Sequence, residues 1–164
     1  MNNVVKLSTI HDICFRLTIS ITVYEILIQL ITRYMKKTVL LIDDDEVFRY
    51  IVKRVIELKT PHVELIPTDS CRAALQVLEE LQNGNNSTKP DIILLDLDMP
   101  VMNGFEFLDT YESRLRQINP NIKIYIVSTS LSSEEHQKAI SYDSVAAFLP
   151  KPIAPETMET VFND

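Results

Sequence analysis

Short apolar runs recur along most of the chain, each followed by a polar stretch in which apolar residues return at a helical period. From residue 38 onward the runs are "TVLLI" (38 to 42), "HVELIP" (62 to 67), "DIILLD" (91 to 96), "IKIYIVS" (122 to 128) and "AAFLP" (146 to 150). Their lengths and their content of Val, Ile, Leu and Tyr predict strands. The third run has too little polar alternation for a wet face, so it belongs in the middle of a sheet. The intervening stretches predict helices over 46 to 58, 70 to 82, 104 to 118, 132 to 142 and 154 to 164. Along the first of these, Val47, Tyr50, Ile51, Val55 and Leu58 form one apolar stripe. Asp45 stands where it can cap that helix, Asp69 or Ser70 the second, and Ser132 or Ser133 the fourth, whose first turn carries glutamates. Strands alternating with helices predict a doubly wound α/β domain with a five-stranded parallel sheet covered on both faces.

The first 34 residues break this pattern. "LTISITVYEILIQLI" (17 to 31) is apolar, but Arg16 and Arg33 bracket it and Glu25 and Gln29 interrupt it. It falls short of the roughly 20 apolar residues of a spanning helix. It also lacks the basic start and small-residue cleavage site of an export signal. Residues 17 to 23 alternate like a strand and 24 to 31 carry a helical period, so neither state is assigned. The expectation is a domain over 36 to 164 preceded by an apolar extension over 1 to 34. Because "MKK" at 35 to 37 leads directly into the first strand, Met35 is the expected natural start, with the extension a mis-assigned upstream segment.

With 164 residues, 46% of them hydrophobic, the chain can bury one core. A net charge of −7 and a pI near 5 argue against a nucleic-acid surface, which needs clustered Lys and Arg. Cys14 and Cys71 form no CxxC pair and read as reduced cytosolic thiols. His11, His62 and His136 show no metal-ligand spacing and read as surface or structural. Phe105, Phe107 and Tyr111 read as core and flank. The sequon at Asn85, Asn86 and Ser87 has no meaning in a cytoplasmic chain.

Chemistry concentrates at the strand ends. In a doubly wound sheet, ligands bind beyond the carboxyl ends of the strands where strand order reverses. The first predicted strand ends in Asp43 and Asp44, the third in Asp96, the fourth in Ser128, and the fifth just before Lys151. Carboxylates brought together repel one another and partly protonate unless a cation neutralises them. An all-oxygen set without His or Cys suits Mg²⁺. Mg²⁺ and Lys151 around one carboxylate would stabilise charge on a transferring phosphoryl group.

These residues resemble the receiver domains of bacterial two-component response regulators over about Lys37 to Phe162. "LLIDDDEVFR" is similar to that family's first strand and acid pair, and "DIILLDLDMPVMNG" to its phosphorylation segment. "IYIVSTS" and "FLPKP" are similar to its switch-hydroxyl and active-site-lysine segments. The resemblance implies a flavodoxin-like sheet of order 2-1-3-4-5 in a single-domain regulator like those of chemotaxis. Asp96 would accept phosphate from a sensor histidine kinase or phosphotransfer protein. Asp44, Asp96 and the backbone carbonyl of Asp98 would hold Mg²⁺, with Asp43 acting through the metal's waters. Ser128 would bond a phosphoryl oxygen, Lys151 would complete the site, and Phe148 would be the switch aromatic. The Lys151–Pro152 bond would be cis. The fourth helix, fifth strand and fifth helix would then change surface toward a separate effector protein, or toward a second copy in a homodimer. The chain would be cytoplasmic, bound to neither membrane nor nucleic acid, and would catalyse only its own phosphoryl transfer and dephosphorylation.

Three departures stand out. "DSVAAF" lacks the glycine expected before the last strand, Phe148 lacks a tyrosine's hydroxyl, and Asp98 adds a fourth acid. "DLDMP" also resembles the nucleophile motif of haloacid-dehalogenase-type phosphatases, with Asp96 as nucleophile and Asp98 as general acid. However, Pro100 stands where Thr or Val is wanted, and two strands and two helices precede a motif that normally opens the chain. A further alternative is a degenerate receiver that is never phosphorylated and only docks.

Overall fold

A computed structural model describes residues 36–82, 89–117, 120–130 and 132–163. The chain divides after Lys36, and the unit Lys37–Asp164 carries the fold. The apolar stretch at 17 to 31, the proposed start at Met35, Cys14, His11 and the sequon lie outside the described residues.

Five strands form one sheet: β1 (Lys37–Ile42), β2 (Val63–Thr68), β3 (Ile92–Leu95), β4 (Lys123–Ser128) and β5 (Val145–Pro150). All four pairings are parallel and the order is β2-β1-β3-β4-β5, so the chain reverses its direction of travel across the sheet between β1 and β3. The helices are α1 (Glu46–Lys59), α2 (Cys71–Gln82), α3 (Gly104–Thr110), α4 (Ser133–Ile140) and α5 (Pro155–Asn163). Most element bounds lie within two residues of the expected ones.

The continuous apolar runs are explained by burial on both faces. Leu40, Ile42, Ile93, Leu95, Ile124 and Ile126 pack in one layer with residues of α2, α3 and α4. Val39, Leu41, Ile92, Leu94, Tyr125 and Val127 pack in the other with residues of α1 and α5. Each fully buried Leu or Ile contributes roughly 1.5–3 kcal/mol relative to exposure, which is the main force holding the strand ends in place.

Two expectations are corrected. Of the stripe expected in α1, Val55 is buried, together with Phe48, Val52 and Ile56, whereas Val47, Tyr50, Ile51 and Leu58 are exposed. Apolar residues occur on both sides of this helix, and the sheet selects the other side. The third helix does not run as α-helix to 118. Its regular part ends at Thr110 and continues as a π-helical turn over Tyr111–Leu115, closed by the Arg116 N–H donating to the Tyr111 carbonyl at 2.9 Å.

That turn also answers how the loop before β5 is built without glycine. Glu112 accepts the Ser144 N–H through Oε1 (2.9 Å) and Arg116 through Oε2 (2.7 Å), while Arg116 also reaches Asp143 at 3.0 Å. Burial pushes the Glu112 carboxyl up, but the Ser144 and Arg116 hydrogen bonds outweigh it and hold the group below its ordinary value. Side chains at the end of the third helical segment thus fix the loop between α4 and β5.

Candidate functional site

Asp43 leaves β1 with its N–H donating to the Thr68 carbonyl at 3.2 Å, and Asp96 leaves β3 with its N–H donating to the Ile42 carbonyl at 2.9 Å. The ladder between adjacent central strands therefore brings the two residues together just past the sheet's carboxyl edge. Carboxylate oxygens of Asp43, Asp44 and Asp96 all lie within 4.8 Å of one another. Asp43 is fully buried, Asp96 is buried, and Asp44 is exposed, so the cluster opens to solvent on one side.

Lys151, just beyond β5, spans the cluster. Its Nζ lies 2.7 Å from Asp43 Oδ2 and 2.6 Å from Asp96 Oδ2, with only 11% of the side chain exposed. Its backbone N–H donates to the Ser128 carbonyl at 2.9 Å, and the following bond to Pro152 is cis, as expected. Burial opposes the ammonium charge, but hydrogen bonds to Asp43 and Asp96 outweigh it and hold Lys151 above its ordinary value. One ammonium serves two carboxylates, so the lysine gains from both. Asp43 is pushed up by burial, with the neighbouring Asp96 charge adding to the rise, and Lys151 offsets only part of it. A fully buried, up-shifted carboxylate beside two others, with one side open, fits a hard divalent cation held by oxygen ligands.

The remaining predicted residues take these places. Asp98 has an exposed side chain, and its N–H donates to Asp96 Oδ1 at 3.2 Å. Ser128 is fully buried at the end of β4, and its Oγ accepts the Ser130 N–H at 3.0 Å. Phe148 pairs in register with Ile126, two residues before Ser128, so Phe148 and Ser128 share a sheet face. The Phe148 ring is half-buried and lies 5.1 Å from the His136 ring. As expected, Asp45 caps α1, accepting the N–H groups of Val47 (2.8 Å) and Phe48 (3.3 Å). Ser70 and Ser132 cap α2 and α4 by accepting the N–H of Ala73 and Glu135 respectively.

The segment after Asp96 is a structured turn. Val101 has φ 69°, and the Met102 N–H donates to the Pro100 carbonyl at 2.8 Å. Gly104 then starts α3 against the phosphoacceptor candidate itself, where a Cβ would meet the Asp96 carbonyl oxygen at 2.6 Å and Leu97 Cα at 2.9 Å. Two residues that the sequence analysis did not single out complete the surroundings. Phe48 places its ring centroid 4.5 Å from Lys151 Nζ, and Arg49 donates from Nη1 to the Asp43 carbonyl at 2.6 Å. Each reads in isolation as an ordinary helical residue, and the signal was their place in the first turn after the acid cluster.

Fold and site together define a doubly wound α/β domain with an acidic, lysine-bridged cleft at its strand-order reversal. Residues 39–163 match the family model of the response regulator receiver domain, and the chain belongs to that family. Among curated relatives, response regulator Rcp1 of Synechocystis is 32% identical over 108 residues, covering 65% of this chain and 70% of Rcp1. The nitrate/nitrite response regulator NarL of Escherichia coli is 31% identical over 121 residues, 74% of this chain and 50% of NarL. A protein-glutamate methylesterase/protein-glutamine glutaminase of Burkholderia thailandensis is 34% identical over 122 residues, 73% of this chain but 30% of its own length. The chain thus spans half or less of the latter two proteins. A solved two-component response regulator of Cytophaga hutchinsonii superposes with a TM-score of 0.69 at 28% identity, covering 77% of this chain and 94% of that one.

The chain is therefore a receiver domain of two-component response regulators, with the five-stranded 2-1-3-4-5 sheet expected of it. Such domains bind Mg²⁺ at an acidic Asp cluster and interact with histidine kinases or phosphotransfer proteins and with effector domains. The phosphatase alternative is not favoured, and the exposed Asp98 side chain is not what meets Asp96. No helix among the described residues is long and apolar enough to cross a membrane.

Proposed function

We propose that Asp96 is the phosphoacceptor of this receiver. The supporting observation is the single ammonium of Lys151 bridging Asp96 and Asp43 beside Asp44 at the carboxyl edge of the sheet. An Asp96 carboxylate oxygen attacks the phosphorus of a phosphohistidine, forming a P–O bond. The P–N bond breaks, and the imidazole nitrogen departs with the electron pair. The product is an acyl phosphate on Asp96.

Asp44 and Asp96, with the backbone carbonyl of Asp98, would hold Mg²⁺, and Asp43 would act through the metal's waters. When bound, the ion supplies positive charge against the transferring phosphoryl oxygens. Lys151 exchanges its Asp96 contact for a phosphoryl oxygen and keeps its contact with Asp43. Ser128 turns its hydroxyl from the Ser130 N–H toward the phosphoryl group. Phe148 moves inward on the same face, which alters the surface of α4, β5 and α5. The domain is a switch with no reaction beyond its own phosphorylation and dephosphorylation. It works in the cytoplasm between a histidine kinase or phosphotransfer protein and an effector, and α4, β5 and α5 are the face it offers to that effector or to a second copy. Residues 36 to 164 constitute the domain, and an apolar extension over 1 to 34 precedes it in the sequence.

The test is incubation of the wild-type chain and Asp96→Asn with Mg²⁺ and a small phosphodonor or beryllofluoride. The wild type should take up one base-labile phosphate, and Asp96→Asn none. Labelling that survives the substitution, or no labelling of the wild type, would refute the assignment.

A further inference from the structure

Lys151 has three N–H donors, and the two carboxylates account for two directions around the nitrogen. On another side lies the ring of Phe48, its centroid 4.5 Å from Nζ. The ring belongs to a buried residue, 7% exposed, and Lys151 is itself largely buried, so this contact is shielded from water. A cation facing an aromatic ring under such conditions is attracted by the ring's quadrupole, more strongly than at an exposed site. The ring is also rigidly delivered. Its backbone N–H is held by the Asp45 cap at 3.3 Å, and its side chain is part of the layer between α1 and the sheet.

We propose that Phe48 is a positioning residue for phosphoryl transfer, its ring serving as the seat over which the Lys151 ammonium moves from Asp96 to the incoming phosphoryl group. The inference rests on the receiver reading of the site. A carboxylate or hydroxyl in this place would fix the ammonium by a directional bond, and an aliphatic side chain would give it nothing polar. An aromatic face attracts the charge without prescribing one N–H direction. The ammonium can therefore turn from one oxygen acceptor to another without being released to water.

Phe48→Leu keeps an apolar side chain and removes the ring, whereas Phe48→Tyr keeps the ring. With a small phosphodonor and saturating Mg²⁺, Phe48→Leu should lower the maximal phosphorylation rate about three- to tenfold. The half-saturating donor and Mg²⁺ concentrations should stay within about twofold of wild type, because Phe48 touches neither ligand. Phe48→Tyr should restore most of the rate. Melting temperatures of Phe48→Leu, Lys151→Met and the double variant give a cycle that does not depend on turnover. The double variant should lose less than the sum of the single losses. Additive losses, or an unchanged rate in Phe48→Leu, would overturn the proposal. Absence of any phosphate on wild-type Asp96 would instead refute its assignment as phosphoacceptor, and the melting cycle would still report whether ring and ammonium are coupled.

Discussion

Asp45 has an exposed side chain that lies outside the acid cluster, while its backbone N–H donates to Asp43 Oδ1 at 3.0 Å, and much of the site's geometry begins with it. The first N–H groups of a helix have no partner within the helix, and a carboxylate at the cap position satisfies them while complementing the positive end of the helix dipole. Here the cap accepts from Val47 and Phe48, so it fixes where α1 starts and where the Phe48 ring falls under Lys151. Three consecutive aspartates therefore divide their work. Asp43 pairs with the lysine, Asp44 faces the open side of the cluster, and Asp45 starts the helix. Asp45→Ala should destabilise the domain by about 1 kcal/mol in urea unfolding, while Asp45→Asn, an equally good cap, should stay within a few tenths. If alanine and asparagine cost the same, charge near the cluster rather than capping is what Asp45 contributes.

At the scale of elements, the loop between α4 and β5 has a measurable dependence on acid. Glu112 on the π-helical turn holds Ser144 and Arg116, and its carboxyl is kept below its ordinary value of 4.5 by those partners. A carboxylate with a depressed folded-state pKa contributes stability above its unfolded value, and that contribution is lost as pH falls through the depressed one. Urea midpoints of wild type and Glu112→Gln should therefore differ most near neutrality and converge as pH falls below 4.5 and through the depressed value. Convergence at neutral pH instead would show that the loop does not rely on this charge. The same elements show what could be read from sequence. The strands were legible because burial on both faces leaves continuous apolar runs, and the acid cluster was legible because Asp43, Asp44, Asp96 and Lys151 follow strand ends that a parallel sheet brings to one edge. The buried face of α1 was not, because Val47, Tyr50, Ile51, Val55 and Leu58 give as good a helical stripe as Phe48, Val52, Val55 and Ile56, and only packing on the sheet decides between them. Nor was the π-helical turn, since "YESRL" is ordinary helical sequence and what departs from the α pattern is the backbone closure at Arg116. The Phe48 seat was hidden for a related reason: its function lies in a contact with a residue 103 positions away.

For the whole molecule, the acidic cluster sets stability against function. Three carboxylates share one small volume with one ammonium between them, so the metal-free fold carries repulsion that burial of Asp43 worsens. Replacing exposed Asp44 with Asn removes one of those charges while leaving the Lys151 bridge intact, and it should raise the melting temperature in EDTA. Magnesium should reverse the order. A ligand that binds the folded chain alone stabilises it by an amount that grows with concentration, about 2.7 kcal/mol at a hundredfold excess over the dissociation constant. For a domain of this size that corresponds to a shift of several degrees, since 1 kcal/mol moves the midpoint by roughly 3 °C or more. Wild type should therefore melt higher with each increment of Mg²⁺ until saturation, whereas Asp44→Asn should respond weakly and end below it. Sodium chloride at matched ionic strength separates site binding from general screening, because screening acts on exposed charges whichever cation supplies it. If the two salts raise the wild-type midpoint equally, or if Asp44→Asn responds to Mg²⁺ as fully as wild type, the carboxylates are not acting as a metal site. A crossing of the two variants' stabilities between EDTA and saturating Mg²⁺ requires that the same charges which weaken the empty fold bind the ion.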